Sequence, residues 1–271
     1  MLGGIKISFK NIDTILFDLN GTLYEKGIAL DGVNETIEQF RHRKYNLSFI
    51  TNTDGRSEID VYQRVLKKGI DIRKEELYTP VTAVKQYIKQ NNNKTFYPLV
   101  HDDVINDLQN LKYDDIKPDY IIIGDFCDKL SYKEINKVFR MIKNGAQIVA
   151  LSKTLWYIDA EGYNINTGSF VKMFEIACDK EAILMGKPAK MFFEMALKRT
   201  DSKPENTLIV GDDIKTDIMG AKRLKAKSVL VRTGVFEEKV LKRIGFKPDF
   251  IIDNINELIK LFMSFEDIDK F

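Results

Sequence analysis

The sequence predicts an α/β fold, in which a mainly parallel sheet forms one domain and a smaller α/β domain is inserted into it. Short apolar segments alternate with longer amphipathic ones along the 271 residues. The short segments are continuously apolar, as expected for strands that are covered on both faces. The stretch from about residue 82 to 180 differs from its flanks and contains a hairpin-like aromatic segment at 154–166.

The apolar segments define the predicted strands. Because helical patterns lie between them, consecutive strands are expected to run parallel in a Rossmann-like core. In such sheets, ligands bind beyond the carboxyl ends of the strands. The predicted strands are Thr14–Leu19, Leu47–Thr51, Tyr120–Gly124, Gln147–Leu151, Thr207–Gly211, Ser228–Arg232 and Phe250–Asp253.

Local start signals define the helices. Ser57 is placed to cap one helix, and Thr79 before a proline is placed to cap the next. Ser131 and Glu134 have the spacing of a capping box. Pro188 is predicted to lie just inside a further helix. The predicted core is residues 1–81 and 181–271, and the inserted domain is 82–180.

Composition excludes several classes of protein. The chain has 42 basic and 40 acidic residues, and a net charge of +2 gives no basis for a nucleic-acid or membrane surface. Cys127 and Cys178 are far apart and are expected to be buried thiols. The first residues show no apolar signal segment, and no apolar run approaches the roughly 18 residues of a membrane span. A cytoplasmic location is therefore expected.

Two polar motifs follow strands in the first half of the chain. Asp18-Leu19-Asn20-Gly21-Thr22 places a carboxylate at a strand end, followed by a glycine that allows a sharp turn. Thr51-Asn52 offers a hydroxyl and an amide to a phosphate oxygen at the end of another strand. Each motif alone also fits an ordinary turn or loop.

Two further motifs lie in the second half. Lys187, between Gly186 and Pro188, could neutralise a phosphoryl group, although an isolated lysine is more often a solvated surface residue. Asp212-Asp213, with Asp217 one helical turn further on, forms an acidic cluster that a hard cation would relieve. An acidic cap at a helix N-terminus is the alternative.

Taken together and in this order, the four motifs resemble those of the haloacid dehalogenase-like hydrolases. Asp18 with Asn20-Gly21-Thr22 resembles the first motif, Thr51 the second, Lys187 the third, and the acidic cluster the fourth. The chain is most similar to the subgroup with a type-IIA cap inserted between the second and third motifs. Within it, softer similarity points to the phospholysine phosphohistidine inorganic pyrophosphate phosphatases and their near relatives. The stretches with that similarity are Leu99–Asp102, Gly168–Cys178, Gly186–Pro188, Gly211–Ile214 and Val231–Gly234.

The resemblance implies a phosphatase mechanism with Mg²⁺ as cofactor. It implies that Asp18 accepts the phosphoryl group and that Asp18, Asp212 and the backbone carbonyl of Asn20 bind the metal. Substrate contacts are expected from the backbone after Asp18, at Leu19, and from Thr51, Asn52 and Lys187. Asp213 and Asp217 are expected to orient metal-bound water or Lys187. The implied substrates are small phosphorylated compounds or pyrophosphate, and members of the subgroup often form homodimers through the cap.

Asn20 departs from the family pattern, because typical members carry an aspartate there that shuttles the proton. Asparagine can donate a hydrogen bond but cannot shuttle a proton, and such help is typically worth about 10²–10⁴-fold in rate. Asn20 is consistent with a native enzyme that is slow or restricted to good leaving groups, with an engineered substitution, or with an inactive phosphate-binding homologue. A phosphotransferase would share the same chemistry. A receiver domain is disfavoured because it needs only about 120 residues.

Overall fold

A computed structural model describes residues 9, 11–91, 93–126, 129–159 and 161–266. The strands are β1 (Thr14–Asp18), β2 (Tyr24–Glu25), β3 (Ile28–Ala29), β4 (Asn46–Ile50), β5 (Leu77–Tyr78), β6 (Phe96–Leu99), β7 (Tyr120–Ile123), β8 (Gln147–Ala150), β9 (Trp156–Asp159), β10 (Gly162–Ile165), β11 (Ile183–Leu184), β12 (Thr207–Gly211), β13 (Lys227–Val231) and β14 (Phe250–Ile252). The helices are α1 (Val33–His42), α2 (Glu58–Lys67), α3 (Pro80–Gln90), α4 (Asp102–Leu108), α5 (Tyr132–Lys143), α6 (Thr167–Cys178), α7 (Lys190–Leu197), α8 (Met219–Leu224), α9 (Glu238–Arg243) and α10 (Glu257–Glu266).

The chain divides into two compact units, each assembled from more than one segment. The first unit comprises Met1–Ile50, Arg64–Leu77 and Ala196–Phe271, and the second comprises Thr51–Gln63 and Tyr78–Met195. The second unit thus also includes a segment that precedes residue 82. The cap boundaries at 82–180 stay a prediction.

A six-stranded sheet with the order β14-β13-β12-β1-β4-β5 organises the first unit. β1 pairs in parallel with both β12 and β4, and Asp18 at its end is in register with Ile50. Every residue of β1 and β12 is buried, which agrees with their continuously apolar sequences. The parallel α/β fold predicted from the sequence is confirmed. The carboxyl ends of β1, β4 and β12 therefore meet at one edge of the sheet.

The second unit contains its own parallel sheet and a hairpin. The sheet has four strands in the order β11-β8-β7-β6, and α5 and α6 contribute to the apolar cluster around it. β9 and β10 pair antiparallel, with Trp156 opposite Ile165 and Ile158 opposite Tyr163. This pair is the hairpin predicted at 154–166.

Two of the predicted helix caps form as expected. The Ser57 hydroxyl accepts a hydrogen bond from the backbone N–H of Asp60 at 3.1 Å, directly before α2. The Thr79 hydroxyl accepts from the backbone N–H of Thr82 at 3.1 Å, before α3. Each bond satisfies a donor that the first helical turn leaves without a partner within the helix.

Two other predictions differ from the structure. Ser131 caps α5 by accepting from the backbone N–H of Glu134 at 3.2 Å. However, the Glu134 carboxylate accepts from the Tyr97 hydroxyl, and this hydrogen bond ties α5 to β6. The placement of Pro188 inside a helix is wrong, because α7 begins at Lys190. Side-chain hydrogen bonds to the backbone of Lys187, described below, replace helical ones at that point.

The structure tests part of what was expected of the two cysteines and of membrane-spanning segments. Cys178 is a buried free thiol on α6, packed in the same apolar cluster as Phe174. Cys127 lies outside the described residues. Within the described ranges, every helix is too short or too polar to cross a bilayer.

Candidate active site

Three carboxylates meet at the carboxyl edge of the six-stranded sheet. Asp18 ends β1, Asp212 directly follows β12, and Asp217 lies in the π-helical turn Ile214–Ile218. One oxygen from each carboxylate lies within 4.8 Å of the others, and all three side chains are buried. Buried like charges at this separation repel one another. The folded chain therefore concentrates negative charge at one point.

The hydroxyl of Thr22 bridges two of these carboxylates. Its Oγ1 atom lies 3.1 Å from Asp212 Oδ1 and 3.3 Å from Asp18 Oδ2, and the side chain is fully buried. Gly21, at a φ of 95°, lets the chain turn back so that Thr22 can reach both strand ends. The sequence places Thr22 within the first motif, but gives no sign of its contact with Asp212.

Two glycines and a backbone amide fix the Asp212 carboxylate. A Cβ atom at Gly21 would lie 2.2 Å from Asp212 Oδ2, and one at Gly234 would lie 2.1 Å from the same atom. The backbone N–H of Val235 donates to Asp212 Oδ2 at 2.7 Å. The Thr233 hydroxyl donates to the Gly21 carbonyl and holds the two loops together. The sequence resemblance includes Val231–Gly234, but it gave no indication that this loop, which follows β13, contacts Asp212.

Asp213 and Asp217 have different surroundings. The Asp217 side chain packs so closely that a Cβ at Gly211 would lie 2.3 Å from its Cγ. Its Oδ2 accepts from the backbone N–H of Asp213 at 3.2 Å. The half-buried Asp213 side chain instead caps the following turn, accepting from the backbone N–H of Lys215 at 2.7 Å. Asp217 therefore joins the carboxylate cluster, whereas Asp213 shapes the loop beside it.

Leu19 and Asn20 lie in the turn after Asp18. Leu19 is fully buried, and its carbonyl accepts from the backbone N–H of Leu23 at 2.9 Å. Asn20 is exposed and forms an isolated backbone bridge with Tyr24. Their roles in binding substrate and metal stay predictions.

Thr51, Asn52 and Lys187 belong to the second unit, and the structure brings Asn52 and Lys187 together. Asn52 Oδ1 accepts from the backbone N–H of Lys187 at 2.7 Å, and Asn52 Nδ2 donates to the Lys187 carbonyl at 3.0 Å. A Cβ at Gly186 would lie 2.9 Å from Asn52 Oδ1. The amide of Asn52 is thus bonded to the backbone of Lys187, a role that the sequence did not indicate. Thr51 and Lys187 are each 4% exposed.

The donor set of the first unit fits a hard divalent cation. Mg²⁺ prefers oxygen ligands and is commonly bound through one or two carboxylates. Asp18 and Asp212 supply these oxygens from two adjacent strand ends, and Asp217 lies within the same cluster. A cation there would relieve the repulsion among the three groups. A carboxylate beside such a cation is also placed to act as a nucleophile towards an anionic phosphorus centre.

Comparison with protein-family models gives two matches. A model described as haloacid dehalogenase-like hydrolase matches residues 15–114, which include Asp18 and Thr51. A second, described as HAD-hydrolase-like, matches residues 184–258, which include Lys187 and Asp212. Together the two matches contain all four motifs.

Individual relatives cover nearly the whole chain. Haloacid dehalogenase-like hydrolase domain-containing protein 2 of Rattus norvegicus is 33% identical over 237 residues, 88% of this chain and 90% of the relative. Phospholysine phosphohistidine inorganic pyrophosphate phosphatase of Xenopus laevis is 29% identical over 266 residues, 96% of this chain and 97% of the relative. Among solved structures, p-nitrophenyl phosphatase from Archaeoglobus fulgidus has a TM-score of 0.86 at 20% identity, covering 92% of this chain and 99% of that one. This last likeness shows a shared fold.

Proposed function

We propose that this chain, which belongs to the haloacid dehalogenase-like hydrolase family, is a phosphatase that passes the phosphoryl group of a small substrate to Asp18 and then to water. The buried cluster of Asp18, Asp212 and Asp217 at the sheet edge is the observation that supports this most directly. Relatives named as phosphatases support the choice of reaction. The proposed substrates are small phosphorylated compounds or pyrophosphate.

The reaction has two steps. In the first, an Asp18 oxygen forms a bond to phosphorus as the bond from phosphorus to the leaving oxygen breaks. The leaving oxygen takes a proton from solvent. In the second, water attacks the aspartyl-phosphate, releasing inorganic phosphate and regenerating the carboxylate. The hydrogen bond from Thr22 at 3.3 Å supports the Asp18 carboxylate in the required orientation.

Positive charge must balance the carboxylates and the phosphoryl oxygens. Mg²⁺, held by Asp18, Asp212 and the Asn20 carbonyl, would supply that charge when bound. We propose that the Lys187 ammonium, the Thr51 hydroxyl and the Leu19 N–H bind the transferring oxygens. Within the second unit, Asn52 supports this role by holding the Lys187 backbone at two points.

Asn20 narrows the range of leaving groups. Without a carboxylic acid at this position, a leaving oxygen of low basicity departs more readily than an alkoxide does. Aryl phosphates and phosphoanhydrides are therefore the expected substrates. As part of the same proposal, residues 82–180 form a cap that selects the substrate, and the chain forms a homodimer.

Phosphate release from a substrate panel tests the proposal. The panel contains pyrophosphate, a phosphoramidate, an aryl phosphate and several sugar phosphates, each assayed with Mg²⁺ and with EDTA. We expect release that needs Mg²⁺ and is lost in Asp18→Asn, which keeps the shape of the nucleophile but removes its charge. The matched control is Asp31→Asn, at an exposed carboxylate. Phosphate binding without turnover on the whole panel would favour a phosphate-binding homologue instead.

A further inference from the structure

A buried carboxyl group outside the proposed mechanism lies on the loop that follows β4. Asp54 is 8% exposed and stands three residues after Thr51. Burial raises the pKa of Asp54 from 3.8 to about 6, and the negative charge of Asp125 contributes in the same direction. A hydrogen bond from Thr167 partly opposes this rise in the pKa. An ionisable group whose pKa is shifted this far by burial is a candidate for a functional role.

Three segments of the second unit meet at Asp54. The Thr167 hydroxyl, in the first residue of α6, donates to Asp54 Oδ2 at 2.6 Å. Asp125 follows β7, and a Cβ at Gly55 would lie 2.7 Å from its Oδ2. A Cβ at Gly124 would lie 3.1 Å from the Asp54 carbonyl. The loop therefore packs tightly against both segments, and the bond to Thr167 anchors it on α6.

The same loop holds the residues proposed to bind phosphate. The Thr51 hydroxyl accepts from the backbone N–H of Thr53 at 3.2 Å. Asn52 bonds the backbone of Lys187 at two points. A shift of the loop on α6 would thus be passed through Asn52 to Lys187.

We propose that Asp54 is a positioning residue that responds to pH, holding the loop on α6 through Thr167 when protonated and loosening Thr51, Asn52 and Lys187 when ionised. This inference rests on the proposed function, because it assigns a control to the same phosphate-binding residues. Burial disfavours the ionised carboxylate by more than the hydrogen bond from the Thr167 hydroxyl stabilises it, so the packed loop favours the neutral carboxyl group. Ionisation therefore favours a loosened loop in which water reaches the carboxylate.

Other charged groups near this loop are paired with partners of their own. Arg56, on the same loop, pairs with Asp60 at 3.8 Å and with Asp103 at 3.5 Å. Lys153, whose backbone lies beside Gly168 at the start of α6, pairs with Glu175 at 2.6 Å. The titratable neighbour whose charge acts on Asp54 is Asp125.

The test compares pH profiles of kcat/KM for an aryl phosphate, measured from pH about 4 to about 8. The substrate's own second ionisation, with a pKa near 6, contributes equally to every variant. The informative quantity is therefore the ratio of the wild-type kcat/KM to the kcat/KM of Asp54→Asn at each pH. We expect this ratio to fall about tenfold as pH rises through about 6, because ionised Asp54 favours the loosened loop whereas asparagine stays neutral.

Two further variants should move the midpoint of this step in opposite directions. Asp125→Asn removes the repelling charge and should lower the midpoint by about one unit. Thr167→Val removes the donor that stabilises the ionised form and should raise it by about one unit. Thr167→Ser keeps the hydroxyl and should preserve the wild-type profile. A purely structural role for Asp54 would lower activity equally at every pH and would not produce these shifts.

Two measurements without turnover separate this inference from the proposed function. They are the ¹³C-NMR titration of the Asp54 carboxyl group and the affinity for inorganic phosphate with Mg²⁺ at each pH. Affinity that follows the Asp54 titration in wild type, and loses that step in Asp54→Asn, supports the inference even if no substrate is hydrolysed. Parallel profiles for wild type and Asp54→Asn, in activity or in phosphate affinity, would overturn it.

Discussion

Replacing Asp54 by asparagine should stabilise the protein at neutral pH. The pKa of this carboxyl is 3.8 in the reference state and about 6 in the fold. Between these values the folded state binds more protons at Asp54 than the unfolded state does. The contribution of Asp54 to the unfolding free energy therefore falls as pH rises from about 4 to about 6, and then stays constant. A shift of about two units corresponds to about 3 kcal/mol. The introduced asparagine would not ionise, and its amide oxygen can still accept from Thr167.

Urea unfolding followed by tryptophan fluorescence measures the change in unfolding free energy in the compact unit that contains Asp54. Trp156 is the single tryptophan of the chain and lies in the same compact unit as Asp54. The difference in unfolding free energy between Asp54→Asn and wild type should grow by about 3 kcal/mol between pH about 4 and about 7. The control variant Asp31→Asn, at an exposed position, measures how much the unfolding free energy changes when an unburied carboxylate is replaced. A difference that does not change with pH would refute the reasoning about ionisation.

Three more predictions concern the carboxylate cluster. Millimolar Mg²⁺ should raise the melting temperature of the wild type and raise it much less in Asp212→Asn, because the cation binds the folded cluster; equal shifts would place the metal elsewhere. Gly234→Ala should lower stability by about 1–3 kcal/mol and abolish most activity, since its Cβ would lie 2.1 Å from Asp212 Oδ2 at a φ of 59°. Gly245→Ala, where a Cβ meets no atom within 4 Å, should change neither melting temperature nor kcat/KM. Asn20→Asp should raise kcat by about 10²-fold or more in a phosphate-release assay, and an unchanged kcat would mean that proton transfer does not limit the reaction.

The central strands could be predicted from the sequence because each is a continuously apolar segment. Predicted Thr14–Leu19 and Thr207–Gly211 agree with β1 and β12 to within one residue. The small strands were missed, because Leu77–Tyr78 and Ile183–Leu184 have two residues each. Two residues are too few to show a periodicity.

The contacts between motifs could not be predicted. Thr22 reaches Asp212 across 190 positions of sequence, and Asn52 reaches Lys187 across 135. No local pattern encodes such pairs. The first depends on β1 and β12 becoming neighbours in one sheet, and the second joins the segments that follow β4 and β11, which belong to different sheets. The sequence therefore identified the residue types of the site, while the structure shows which of them support one another. Asn52 illustrates the difference, since its predicted contact is with substrate and its observed contact is with backbone.

Packing separates the candidate site into a constrained part and an unconstrained one. Asp18, Thr22 and Asp212 are buried and joined by hydrogen bonds, and the glycines that pack against Asp212 leave no space for a Cβ. Any substitution among these residues changes both the chemistry and the packing. Asn20 is exposed, so a change there can alter proton transfer while the carboxylate cluster stays as it is. Asn20→Asp should accordingly change the unfolding free energy by less than about 0.5 kcal/mol. A larger change would mean that the Asn20 side chain also supports the turn that holds Asp18 beside Thr22.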